Sequence, residues 1–326
     1  MTLLRNTLLL LFTASLFGCM VTGGGNKKPN DPFEVTRPGS FKNQKQVAIG
    51  SFKVSFITFD KSSSKAQSSM ASSDSGFAKL TLRAKLEGID DNTFQQLTDF
   101  AYQDFIMQLK ANGYEVVDRE KIESAPSYAK LPTTASPFKV TSSFKSVTGG
   151  SRESATFSPT GLPLYHKGSD YEPAAPFEIY SVADESNVPI LNVHYIVHFA
   201  YFQGKTDNSG NTKIAQMSMG QMVRMEYGSK LTLAVGPWST FSNPNGDLNL
   251  TWGEVSDITY GETSDSTSGA QKAANAFSSV VGLFSGGSMS AREYLIQAKP
   301  GKYSAAVKDV VERTTSQFVK KMASLR

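Results

Sequence analysis

Few residues in this sequence are of types that could carry out chemistry, since it contains three histidines and one cysteine. His194 and His198 are four residues apart, a separation that can bring two imidazoles onto one metal ion in a helix. Their surroundings, Val188 to Phe202, are rich in β-branched and aromatic residues, which predicts a strand. A strand would place both side chains on one face but roughly 13 Å apart. We therefore expect two partly buried core histidines with no shared metal ion, and a pH-sensing role is the alternative.

A second group with chemical potential is formed by Met217, Met219, Met222 and Met225. Thioethers can bind copper or adapt to varied partners, although they fill irregular cores far more often. The spacing fits neither one helix face nor one strand face. Core packing is therefore the prediction, and metal binding is the minor alternative.

The single cysteine, Cys19, ends an N-terminal segment with the chemistry of a targeting signal. Arg5 is its only charge, and Thr7 to Phe17 is an apolar run of about eleven residues, too short to span a bilayer. Because the chain has no second cysteine, it cannot form an intramolecular disulfide. Residues 1–18 are therefore predicted to be a signal peptide.

The four residues Leu16-Phe17-Gly18-Cys19 resemble the lipobox of bacterial lipoproteins, in which Leu16 and Gly18 would serve signal recognition. The resemblance implies a diacylglycerol on the Cys19 sulfur, cleavage before Cys19 and acylation of the new N-terminus. Two or three acyl chains make a durable anchor, because each buried methylene contributes about 0.8 kcal/mol. Met20 stands where an aspartate would favour the inner membrane, so anchoring in the outer membrane, facing the periplasm, is expected. An ordinary secretory signal is the alternative.

Residues 19–46 contain three consecutive glycines and spaced prolines, which predicts a flexible tether behind the acylated cysteine. Residues 47–326 are predicted to form a globular periplasmic α/β domain. Two lobes, 47–124 and 176–326, joined by an irregular 125–175 segment are the alternative. The formal net charge of +4 over 326 residues is small, so we expect no nucleic-acid partner.

Hydrophobic periodicity predicts a mixed fold of class α/β (α+β). Long amphipathic helices are predicted between Asp90 and Gly113 and from Tyr303 to Leu325. A third apolar stripe, Gln271 to Phe284, could pack in a core, join subunits or lie shallowly in a membrane. Strands are predicted at Gln46–Phe59, Lys79–Leu86, Val188–Phe202, Lys213–Tyr227, Lys230–Val235, Asp247–Trp252 and Tyr294–Ala298. The sequence thus predicts a partly antiparallel sheet with at least two long amphipathic helices packed on it, plus long irregular loops.

The predicted strand Lys79–Leu86 would carry a basic outer face, because Lys79, Arg83 and Lys85 alternate with apolar residues. A solvated surface is the ordinary interpretation of such a face. Contact with acidic lipid headgroups or with an acidic partner is the alternative.

The order of elements from Val47 to Glu123 is strand, insertion, long helix and then the segment Gly-Tyr-Glu-Val-Val-Asp-Arg at 113–119. This order is similar to the opening unit of the periplasmic domains in the curli-secretion lipoprotein family and in the N-terminal domain of the TolB family. The resemblance implies a helix that crosses between parallel strands. It also implies a scaffold for envelope assembly rather than a catalyst.

No nucleophile elbow, phosphate-binding glycine loop or His-Glu-x-x-His motif occurs in the sequence, so we expect neither enzymatic activity nor a cofactor. The leading hypothesis is an outer-membrane lipoprotein that serves envelope assembly or secretion without catalysis, by contacting other envelope proteins or by self-association. One alternative is a subunit of an oligomeric secretion pore, in which Lys213 to Val235 would supply a membrane-crossing hairpin with Arg224, Glu226 and Lys230 facing its lumen. A periplasmic ligand-binding module is a further alternative.

Overall fold

The computed structural model of the chain describes residues 29–67, 77–142, 152–165, 178–207, 214–237, 243–275 and 287–326. From Pro32 to Arg326 the chain forms one compact unit of mixed α/β architecture. Within the described residues, none of the helices combines the length and apolarity needed to cross a membrane.

Two sets of elements build this unit. The strands are β1 Phe33–Thr36, β2 Gln46–Gln67, β3 Phe77–Glu87, β4 Glu115–Val116, β5 Thr133–Thr134, β6 Phe138–Ser142, β7 Arg152–Phe157, β8 Leu164–Tyr165, β9 Ile190–Asp207, β10 Ile214–Met225, β11 Lys230–Ala234, β12 Gly246–Leu250, β13 Gly261–Asp265 and β14 Gly287–Ala298. The helices are α1 Asp91–Ala111, α2 Glu120–Glu123, α3 Glu178–Ser186, α4 over residues 269–275 and α5 Pro300–Leu325, with short 3-10 turns at Pro38–Phe41 and Tyr128–Lys130.

One large mixed sheet organises the fold, in the strand order β1-β12-β11-β9-β2-β3-β14-β13, with β10 paired to β9 and β7 to β2. β9 runs parallel to β2 and β14 runs parallel to β3, whereas β2 and β3 are antiparallel. Because β2 pairs with β9, residues 47–124 and 176–326 share one sheet instead of forming two lobes.

The helix α1 shows how local sequence sets its own ends. The Asp90 side chain accepts a hydrogen bond from the Thr93 backbone N–H at 2.8 Å, which satisfies one of the free donors of the first turn. Gly113 follows the helix with φ +79°, a left-handed conformation that glycine adopts without strain. Both predicted ends of this helix are confirmed.

Aromatic side chains join α1 and α5 to one face of the sheet. The Phe94 ring stacks on Phe56 of β2 at 4.5 Å and contacts Tyr303 of α5 edge-on at 6.2 Å. Phe318 of α5 stacks on Tyr195 of β9 at 5.8 Å. These rings are buried and lie in the main hydrophobic core.

The tether predicted for residues 19–46 does not extend to residue 46. Phe33–Thr36 pairs antiparallel with β12, and the Phe33 ring lies 4.7 Å from that of Phe318. Phe41 in the following 3-10 turn is also buried. Burial of two aromatic rings outweighs the Pro and Gly content on which the prediction depended.

Strands also form in a polar segment after Phe59 and in the 125–175 segment predicted as irregular. Residues 61–67 are polar and serine-rich, yet β2 continues through Gln67, and the Ser63 and Thr81 hydroxyls meet at 2.9 Å across the β2–β3 pair. Within 125–175, β7 pairs with β2 inside the main sheet. In both places the backbone N–H and C=O groups of a polar segment form hydrogen bonds with a neighbouring strand. Pairing therefore stabilises a strand that the side chains alone do not predict.

Candidate functional site

The face of the sheet opposite α1 and α5 carries the histidines. Along β2 and β9, Phe52, Val54 and Tyr195 point towards the helices, and the alternate residues point the other way. Those alternate residues include Lys53, Ser55, His194 and His198, all of them buried. Buried polar groups need hydrogen-bond partners, so their partners define what this face can do.

His194 belongs to a hydrogen-bonded chain that crosses three strands. Its Nε2 lies 2.8 Å from the Ser55 Oγ, which lies 2.7 Å from the Thr156 Oγ1 of β7. Burial holds the pKa of His194 well below its ordinary value, and the positive charges of Lys53 and Lys230 lower that pKa further. The imidazole is therefore neutral at neutral pH.

The contact between Ser55 and His194 has the atoms of a nucleophile and its base. Both residues are buried, and Ser55 is 0% exposed. The Ser55 hydroxyl is also held by Thr156. This arrangement suits a structural link between β9, β2 and β7 better than attack on a substrate.

His198 uses both ring nitrogens in a separate cluster. Its Nδ1 accepts a hydrogen bond from the Ala200 backbone N–H at 3.0 Å, so in the neutral ring Nε2 carries the proton. That nitrogen donates to the Asp60 carboxylate at 2.8 Å, and Arg152 Nη2 approaches the same oxygen at 3.2 Å.

The protonation states in this cluster follow from burial and charge. Burial lowers the pKa of His198, although its hydrogen bond to Asp60 and the charge of Glu226 oppose the shift. Burial raises the pKa of Asp60, but the hydrogen bond from His198 and the charge of Arg152 outweigh it and hold that pKa below its ordinary value. At neutral pH the cluster thus pairs a neutral His198 with an ionised Asp60.

The link between His198 and Asp60 marks the point where two hairpins diverge. β2 and β9 pair in parallel up to Phe56 and Val197, and the β2 register then shifts between Ile57 and Phe59. Beyond this bulge β2 pairs with β3, and β9 pairs with β10. The bond thus joins the bases of the β2–β3 and β9–β10 hairpins where their backbone pairing ends.

The strand β10 lies at an edge of the sheet. It pairs with β9 along Ile214 to Met225, with a register shift between Gln221 and Arg224. Among the described residues its other side meets a strand only at one isolated bridge, from Arg224 to Val255. An edge strand of this length presents unpaired backbone N–H and C=O groups to a partner.

The methionines follow this edge strand. Met217 and Met219 lie opposite Gly204 and Phe202 of β9, and Met219 packs at the margin of the core. Met225, beyond the register shift, is buried. That shift explains why the spacing fitted no single strand face, and core packing is confirmed for Met225. In the part of the chain that the structure describes, no three His, Cys, Asp or Glu side chains could together hold a metal ion.

Glu226, directly after β10, forms another buried ion pair. It is 2% exposed, and Arg224 Nη2 approaches its two carboxylate oxygens at 3.0 and 2.8 Å. Burial raises the pKa of Glu226, but the charge of Arg224 outweighs it and keeps the carboxylate ionised. Arg224 and Glu226 therefore neutralise each other within this unit.

The partners of the two histidines were not identified from the sequence. Ser55 and Asp60 are more than a hundred residues from His194 and His198, at separations of 139 and 138. The sequence nevertheless contains one indication of a polar environment. Lys53 and Ser55 are polar residues within the otherwise apolar first half of β2, and they indicate that the second face of this strand is polar.

The predicted anchor residues Leu16, Gly18 and Cys19 lie outside the described residues. Their predicted roles therefore stay predictions. In comparisons with known proteins, the chain matches no family model, no curated protein and no solved structure.

Proposed function

We propose that this chain is a lipid-anchored protein of the outer membrane, facing the periplasm, that acts without catalysis in envelope assembly or secretion. The observation that carries the proposal is the edge of β10 from Ile214 to Gly220, which pairs with no strand other than β9 among the described residues. This edge offers a backbone surface to another protein or to a second copy of the chain. The lipobox-like residues before Cys19 supply the expected anchor.

The composition of β10 supports a binding role. Gln216 and Ser218 are exposed and Met217 and Met219 are half-buried along the edge. Main-chain hydrogen bonds would give affinity to an added strand, and flexible thioethers would adapt to its side chains. A strand from another chain is therefore the natural occupant of this edge.

The use of the histidines supports a non-catalytic role. His194 and His198 are buried and bonded to Ser55 and Asp60 within the unit. In this role, α1 and α5 would be two long amphipathic helices that cover one face of the sheet, as in a scaffold domain. The family-like opening unit, in which β4 runs parallel to β2, agrees with that role.

The test is the native oligomeric state of the chain extracted from membranes in mild detergent. Gln216→Lys with Ser218→Lys adds two charges to the exposed edge of β10, which opposes strand addition. Ala305→Lys, on the exposed side of α5, is the control. We expect the wild type and the control to form an oligomer or a complex and the β10 variant to be monomeric. A monomeric, partner-free wild type would contradict the proposal.

A pore subunit is the second candidate, favoured by strand length. β2 has 22 residues and β9 has 18, whereas a transmembrane strand needs about 9–11. The hairpin in question is β9–β10, because β10 pairs with β9 and not with β11. Conductance across planar bilayers would support this candidate, and its absence from oligomeric preparations would oppose it.

A further inference from the structure

Five basic residues form a strip on one face of the β2–β3 hairpin: Lys61, Lys65, Lys79, Arg83 and Lys85. The antiparallel register places Lys65 directly opposite Lys79 and Lys61 directly opposite Arg83. Directly opposed residues share a face, and like charges at that distance destabilise a sheet. The protein thus maintains two like-charge pairs where alternation alone predicted three separate charges.

Only part of the charge in this basic strip is neutralised. Arg83 binds Glu293 at 2.8 Å and Lys85 binds Glu87 at 2.8 Å. The Lys65 ammonium lies over the Phe77 ring, 5.8 Å from its centre. The ring carries no net charge, so this contact does not neutralise the lysine. Among the residues that the structure describes, no carboxylate forms an ion pair with Lys61, Lys65 or Lys79. These three charges are available to an anionic partner.

An exposed apolar side chain and a cleft adjoin the basic strip. Met289 of β14 lies beside Lys79 in the parallel register and is 55% exposed. A cleft of about 280 Å³ opens next to it, and Thr81, Gln271 and Asn275 contribute polar side chains to its lining, together with Lys79 and Met289. The Gln271 and Asn275 side chains hydrogen-bond to each other, and the Thr81 hydroxyl bonds to that of Ser63. The Lys79 ammonium is therefore the group that would bind a phosphate in this cleft.

We propose that the basic strip and Met289 together form a contact surface for a phospholipid membrane with anionic headgroups, with one headgroup phosphate in the cleft. Charge complementarity identifies the partner, because lysines beside an exposed apolar side chain match an anionic interface above an acyl region. Each basic residue near such a surface strengthens partitioning about fivefold. The contact goes beyond the proposed assembly role and does not require acylation of Cys19.

The experiment is co-sedimentation of the full chain with two kinds of vesicle, phosphatidylcholine alone and phosphatidylcholine with phosphatidylglycerol in equal parts. The ratio of the two partition coefficients isolates the charge effect, since an acyl anchor contributes to both. The test variant is Lys61→Gln with Lys65→Gln and Lys79→Gln. The control, Lys42→Gln with Lys302→Gln and Lys320→Gln, has the same net charge change at exposed positions elsewhere.

We expect the wild type and the control to favour the anionic vesicles at least tenfold, and the test variant to lose most of that preference. Added salt should reduce the wild-type preference, and Met289→Ser should weaken binding to anionic vesicles severalfold. Equal ratios for the test variant and the control would overturn the proposal. Binding to polyglutamate without a preference for anionic vesicles would overturn it in favour of an acidic protein partner. Thermal melting of each variant checks that it is folded.

Discussion

The Nε2–H group of His198 donates a hydrogen bond of 2.8 Å to the Asp60 carboxylate, at the point where β9 and β2 stop pairing. Over the described residues of the two strands, their backbone pairing ends at Phe56 and Val197. The hydrogen bond between these two side chains therefore takes the place of backbone hydrogen bonds between β2 and β9. It holds together the bases of the β2–β3 and β9–β10 hairpins.

Loss of the Asp60 carboxylate should be costly, because it would leave Arg152 and His198 facing a partly buried gap. We expect Asp60→Ala to lower the free energy of unfolding by about 3 kcal/mol, measured by urea denaturation. Asp91→Ala is the matched control, since Asp91 forms an exposed ion pair with Lys139 and should cost less than about 1 kcal/mol. Equal losses in the two variants would contradict a special role for Asp60.

Stability should fall between pH 7 and pH 5 because the histidines are held neutral. Burial lowers the pKa of His194 and of His198 below that of an unfolded histidine, about 6.5. Below that pH the unfolded chain binds protons that the folded chain does not, so the free energy of unfolding decreases by up to about 1.4 kcal/mol per pH unit for each histidine.

The variant His194→Gln removes one of these two protonation sites and should make the decline shallower. Urea unfolding at several pH values between 5 and 7 measures the slope. The lowered pKa of Asp60 has the same sign but acts at lower pH, since it matters only as the unfolded carboxyl begins to protonate near about pH 4. An unchanged slope in His194→Gln would show that His194 has the same pKa in the folded and the unfolded chain, which would contradict its lowered pKa.

A close backbone approach at Gly253 leads to a sharp steric prediction. A Cβ at this position would lie 1.6 Å from the Met225 carbonyl oxygen, which belongs to the backbone and cannot rotate away. We expect Gly253→Ala to lower the free energy of unfolding by about 3 kcal/mol or more. Gly39→Ala is the control, because among the described residues no atom beyond its own stretch of chain lies within 4 Å of the added Cβ. Thermal melting compares the two variants, and equal shifts in melting temperature would contradict the prediction.

The elements that the sequence predicted well are those set by local signals. The helix α1 follows from Asp90, the apolar spacing and Gly113, all within one segment. The strand β3 follows from strict alternation, and Leu82, Ala84 and Leu86 are buried as expected. In these elements the local preference and the global fold agree.

The missed elements depend on distant partners. β1 exists because it pairs with β12, and the polar end of β2 exists because β3 lies beside it. The same limit applies to the candidate site, since Asp60 has His198 as its hydrogen-bond partner only in the folded chain. Pairing between distant segments has little effect on local composition or periodicity. The histidines could therefore be identified from the sequence, but their partners could not.

The proposed lipid anchor is tested most directly by the mass of the N-terminal peptide of the chain recovered from membranes. We expect a mature chain that begins at Cys19, carries a diacylglycerol on its sulfur and is acylated at its new amino group. An unmodified Cys19 in a water-soluble protein, processed elsewhere, would contradict the proposed anchor and the envelope role that depends on it.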